Sequence, residues 1–136
     1  AGLAAQNVRD GVAVQAELAG LERLIVAQTE AVSGNFQGKV DADVAFHVGI
    51  YRLSGNPTIE EMARPQWVHF RRTMQVVLAE PSAHSPVWRQ HQEIYQAILA
   101  GDADLAERLA FNHAESAAAK TAARLRLEEI SKESKP

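Results

Sequence analysis

HQEIYQAILAGDADLAERLAFNH, residues 91–113, is the stretch whose reading decides the fold. Ile94, Tyr95, Ile98 and Leu99 follow His91 at i+3, i+4, i+7 and i+8, the spacing of one buried helix face. Gly101 closes that helix and Asp102 caps the next. Leu105, Ala106 and Leu109 precede His113 by eight, seven and four residues, so they share its face. Both histidines therefore sit on apolar, inward faces. Nine steps separate His91 from Ala100 and ten separate Ala103 from His113, or roughly 14 and 15 Å of helix. In an antiparallel hairpin the two imidazoles are level.

The same three-to-four residue apolar period runs through the rest of the chain, with no two-residue alternation. The fold reads as an all-α antiparallel bundle of about six helices. LAAQNVR looks like the last turns of a first helix whose start is missing. A second helix spans Val12 to Val32, with Val14, Leu18, Leu21, Ile25 and Val32 as its apolar stripe, and GNFQGK follows as a loop. A third runs from Asp41 to Ser54, where Gly55-Asn56-Pro57 stops it. A fourth, Thr58 to Leu78, carries Pro65, which removes a backbone donor and should divide it into two pieces. After the loop EPSAHSP, a fifth helix covers Val87 to Ala100. A sixth is capped by Asp102 and reaches Glu129, and SKESKP reads as a frayed tail. Residues 1–130 then form one domain and 131–136 the tail. Trp67, Trp88 and Tyr95 are expected in the core.

Within the third helix Asp43 and His47 are four residues apart, which stacks them on one face about 5–6 Å apart at Cβ. Phe46, Ile50 and Leu53 flank them, so the pair points inward. Asp43, His47, His91 and His113 together make a three-nitrogen, one-oxygen set suited to a divalent ion, Zn first, with Ni, Mn or Fe(II) also accommodated. The chain has no cysteine, so any metal must take nitrogen and oxygen ligands. A competing reading is a metal-free core network, because a single buried histidine usually bonds a backbone carbonyl. An inward carboxylate costs several kcal/mol of desolvation, which either a cation or a tight hydrogen-bond network must offset. On the residues alone both readings stand.

The 136 residues carry a formal net charge of −3, with 46% hydrophobic and 23% charged side chains, the balance of one globular domain. Basic residues are scattered apart from Arg71–Arg72 and the tail, so a nucleic-acid footprint is not in this chain. The stretch AGLAAQNVRDG shows no basic start followed by an apolar run, and no segment approaches the roughly 20 apolar residues of a membrane span, so a cytoplasmic location and no membrane partner are expected.

DADVAFH (residues 41–47), SGNP (54–57) and the 91–113 segment together resemble the effector-binding FadR C-terminal (FCD) domain of GntR-type transcription regulators. The resemblance runs from about Leu3 to Leu127. It implies a bundle of six or seven helices that holds a divalent metal on Asp43, His47, His91 and His113. The metal would serve sensing, with a small organic acid as effector and a homodimer as the working form. DNA would be bound by a preceding winged-helix domain, absent here together with the start of the first bundle helix. His69 stands where family members often carry a pocket arginine. Arg72 is the other effector candidate, since its fork can clamp a carboxylate, although the Arg71–Arg72 pair also reads as a solvated face. Two rival functions remain: a mononuclear metal-dependent enzyme, and a metal-free helical interaction module. The sequence lacks His-Glu-x-x-His and paired Glu-x-x-His motifs, so no general base stands beside the cluster. The chain is therefore read as a non-enzyme.

Overall fold

The computed structural model describes the chain apart from residues 13–14, 31–35, 80–83 and 134–136. Among the described residues seven α-helices follow one another: α1 Gly2–Arg9, α2 Gln15–Glu30, α3 Phe36–Leu53, α4 Pro57–Ala63, α5 Trp67–Leu78, α6 His84–Leu99 and α7 Ala103–Glu133, with a 3-10 turn at Arg64–Gln66 between α4 and α5. Among the described residues there is no strand. The bundle is all-α, as its periodicity requires.

The turns explain the order. Gly101 adopts φ 69°, and the amides of Gly101 and Asp102 donate to the carbonyls of Ile98 and Ala97, a left-handed glycine closure of α6. Asp102 Oδ1 then accepts from the Leu105 amide at 3.0 Å and starts α7. A Cβ on Gly101 would stand 2.8 Å from the Arg9 Cβ, so this turn also lets α1 lie across the hairpin. Asn7 of α1 donates from Nδ2 to the Leu53 carbonyl at 2.8 Å, capping the end of α3. Asn56 accepts from the Thr58 amide and Pro57 takes the first position of α4, where its missing N–H is not needed. Pro65 breaks the next stretch into α4 and α5 through the 3-10 turn.

Several boundaries differ from the sequence reading. α3 begins at Phe36, five residues before Asp41, because Phe36–Lys39 are helical despite Gly38; the rest of that expected loop lies outside the described residues. α6 begins at His84, with Pro86 tolerated in its first turn. α7 passes Glu129 and continues to Glu133, taking in Ser131–Glu133 of the expected tail. Its 31 residues span about 46 Å. In α2, Leu18, Leu21 and Ile25 are buried as expected; Val12 precedes the helix and is exposed, while Val14 and Val32 lie outside the described residues.

Two apolar clusters form the interior. One gathers α1, α2, α3, α6 and the start of α7 around Phe46, Ile50, Ile94, Tyr95 and Ile98. Gly49 lets α2 approach α3 there, since a Cβ would meet Leu21 at 2.9 Å. The other joins Val40 of α3, Met74, Val77 and Leu78 of α5, and Val87 and Trp88 of α6. Trp88 and Tyr95 are in the core as expected, whereas Trp67 is only partly buried and meets Tyr51 and Phe70. The seam between the clusters holds the buried polar residues.

Candidate metal centre

Asp43, His91 and His113 are the buried polar or charged side chains among the described residues, and all of them converge on that seam. His91 is held between the clusters: its ring stacks on Phe46 with centroids 4.0 Å apart and an interplanar angle of 13°, and Trp88 flanks it at 5.6 Å. Phe70 of α5 meets His47 edge-on at 4.8 Å. Apolar walls thus fix the imidazoles before any ligand does.

Nε2 of His91 lies 3.2 Å from Nε2 of His113 and 3.4 Å from Oδ1 of Asp43. Oδ2 of Asp43 lies 4.0 Å from Nε2 of His47. One ring nitrogen from each of His47, His91 and His113 falls within 4.8 Å of the others. Ligand bonds of about 2.0–2.1 Å set neighbouring donor atoms roughly 3.0–3.4 Å apart, so the His91 contacts have the spacing of a coordination shell. His47, at 4.0 Å from Asp43, stands outside that spacing and would have to shift to join such a shell.

The unsatisfied atoms make the stronger case. Among the described residues, the buried side-chain polar atoms with no hydrogen-bond partner are Asp43 Oδ1, Asp43 Oδ2 and His47 Nε2. Buried polar groups are nearly always bonded, and a bare carboxylate is the most expensive to leave so. Two of the three exceptions, Asp43 Oδ2 and His47 Nε2, lie 4.0 Å apart, and the third, Asp43 Oδ1, lies 3.4 Å from His91 Nε2. A divalent cation would offset their desolvation, and a donor set of one carboxylate and three neutral imidazoles suits it.

Burial sets the protonation. Desolvation pushes the Asp43 carboxyl up to about 7. Desolvation, reinforced by His113, takes His47 down to about 3, and desolvation with Lys120 takes His113 down to about 4. His91 is also held well below its ordinary value, by desolvation and then by its two histidine neighbours. The rings are neutral at physiological pH, the form that binds metal.

Gln90 supplies a contact that the sequence reading missed. Its Oε1 lies 2.9 Å from His113 Nδ1; with the proton on Nδ1 the ring donates there and leaves the lone pair of Nε2 beside His91. A glutamine next to His91 at a hairpin level with His113 was the available signal.

Above His47 and His113 opens a pocket of about 520 Å³. Ile50, Phe70, Met74 and Ile94 form one side. The other is a small-residue stripe of α7, where Ala114, Ala117, Ala118, Thr121 and Ala122 recur at helical spacing. No Asp, Glu, Lys or Arg lines it. His69 and Arg72 are exposed and are absent from its lining. The buried stripe of α5 is Met74, Val77 and Leu78, and His69 and Arg72 lie off it at exposed positions. Arg71 ion-pairs with Asp41 on α3. The four expected ligands are brought together; the two expected effector contacts are not.

A family model described as the FCD domain matches residues 1–116. A protein of Streptomyces ambofaciens, "Uncharacterized HTH-type transcriptional regulator in unstable DNA locus", is 30% identical over 123 residues, covering 80% of this chain and 50% of that protein. The chain thus spans about half the length of the curated relative it matches.

Proposed function

Because the chain belongs to the FCD domain family, we propose that it is the ligand-sensing domain of a GntR-type transcription regulator and binds a small carboxylate effector at a divalent metal site. The observation that carries the reading is the orphaned, fully buried Asp43 carboxylate beside His91 and His47, which cluster with His113. These four side chains hold the ion, with Zn the best match to a borderline donor set. When bound, the ion supplies a fixed positive charge at the pocket floor, where an effector's carboxylate finds its partner.

The chain's own residues do the rest. Gln90 orients His113, Phe46 and Trp88 fix His91, and Phe70 connects His47 to the pocket wall. Phe70 also touches Trp67, which begins α5 directly after the 3-10 turn. An effector that prefers one placement of α5 shifts the bundle toward it, and this differential affinity is what a regulator needs. In a homodimer such a shift changes the spacing of two winged-helix DNA readers carried outside this chain. The relative's description as an HTH-type transcriptional regulator supports that role. Among the described residues the lining carries no Asp, Glu or Lys side chain, and its histidines are the ones assigned to the ion, which favours sensing over turnover.

The test pairs metal content with a thermal shift. Chelator-stripped protein should take up one Zn²⁺ per chain, and organic acids should then raise its melting temperature only in the metal-loaded form. No metal uptake, or turnover of an ester or amide substrate lost in His91→Ala, would remove this reading.

A further inference from the structure

The pocket walls restrict the effector more than the metal does. An acid entering over His47 and His113 meets methyl and aliphatic surface from Ile50, Met74, Ile94, Ala114 and Ala118. The polar side chains other than the two histidines are Tyr51, Thr73 and Thr121, and the Thr121 hydroxyl already donates to the Ala117 carbonyl at 2.9 Å. Among the described residues no lining side chain carries a charge with which to receive a second carboxylate, and the amino terminus of Ala1, which also lines the pocket, is disfavoured in its charged form by burial. A polyhydroxy acid or a tricarboxylate would bury donors and anions against alanine, and unpaired polar groups oppose such burial.

We infer that the effector is a monocarboxylate with an apolar body, aliphatic or aromatic, whose one charged end lies at the histidines and whose body lies along the alanine face of α7. This rests on the metal-site reading for the charged end alone; the apolar selectivity follows from the walls. Each methylene that leaves water is worth about 0.8 kcal/mol, which converts to roughly fourfold in affinity.

Calorimetric titration of the Zn²⁺-loaded chain with acetate, butyrate and hexanoate, and with citrate and gluconate, tests it. Expected is a roughly fourfold gain per methylene along the straight-chain series, with hexanoate at least tenfold tighter than citrate or gluconate. Ala118→Trp, a change at an exposed position of the wall, should cut hexanoate affinity at least tenfold and leave Zn²⁺ uptake and acetate affinity intact. A flat series, citrate or gluconate binding tighter than hexanoate, or an Ala118→Trp protein with full hexanoate affinity overturns the inference. Repeating the series on chelator-stripped protein separates the two claims. A methylene gain that survives in a chain unable to bind Zn²⁺ keeps the apolar pocket and removes the metal, whereas Zn²⁺ uptake with a flat series does the reverse.

Discussion

Val40 and Asp43 stand three residues apart on α3, and both are completely buried. On α6, Val87 and His91 repeat the contrast one turn apart, at 3% and 0% exposure. In each helix the valine joins the apolar cluster with Met74, Val77 and Leu78, while the neighbouring polar residue turns into the seam. Equal burial has opposite signs in the two regions. It stabilises the valines at about 25 cal/mol per Å² of apolar surface and penalises a carboxylate that finds no hydrogen bond. A bundle shaped for stability alone would continue the apolar cluster through the seam, and on the proposed reading the polar residues stand there for the ion they would bind.

The contrast breaks most sharply at His91. His91→Ala should lower Zn²⁺ affinity by more than the roughly 10–100-fold that loss of a supporting hydrogen bond costs, read by competition with a chromogenic chelator. Leu78→Ala, a cavity in the apolar cluster, should instead cost about 2–5 kcal/mol of stability and leave Zn²⁺ affinity within tenfold. If both variants lose both properties, the two regions are one.

Asp43→Asn sharpens the contrast by a change of sign. The Asp43 carboxyl is raised from 3.8 to about 7 on folding, so its stabilising contribution is complete below about pH 4 and lost as pH rises through about 7. In chelator at pH 8 the asparagine variant should therefore be more stable than the parent, by an amount on the order of a few kcal/mol. With Zn²⁺ present it should be the less stable of the two. A metal-free hydrogen-bond network predicts destabilisation in both conditions. The same shift gives a proton count. With His47 near 3 and His113 near 4, metal binding at pH 6 should release about one proton, from Asp43, and almost none at pH 8.5. Calorimetry in buffers of different ionisation enthalpy measures it.

The smallest effect is expected at Gln90. Gln90→Leu removes the acceptor for His113 Nδ1 and should weaken Zn²⁺ binding about 10–100-fold with little loss of stability. Gln90→Glu, which keeps an acceptor, should restore most of it.

The α6–α7 hairpin was legible in the sequence because local rules decide it: a glycine closure, an aspartate cap and two arms of equal length bring His91 and His113 together. Asp43 and His47 were legible from i, i+4 spacing beside Phe46 and Ile50. The start of α3 was not, since Gly38 weakens the local helix signal and tertiary packing overrides it. His69 and Arg72 were misplaced for a different reason. Family position suggested the one and a carboxylate-clamping fork the other, but the buried face of α5 is set by Met74, Val77 and Leu78, and both residues are exposed. Gln90 and the alanine face of α7 escaped notice because their significance lies across a helix interface, where spacing along one chain segment carries no information.

X-ray absorption at the Zn edge of the loaded protein tests the central claim most directly. The account predicts nitrogen and oxygen scatterers at about 2.0–2.1 Å with the outer-shell pattern of three imidazoles, falling to two in His113→Ala. A spectrum with one imidazole or none, or one unchanged by that substitution, would contradict it.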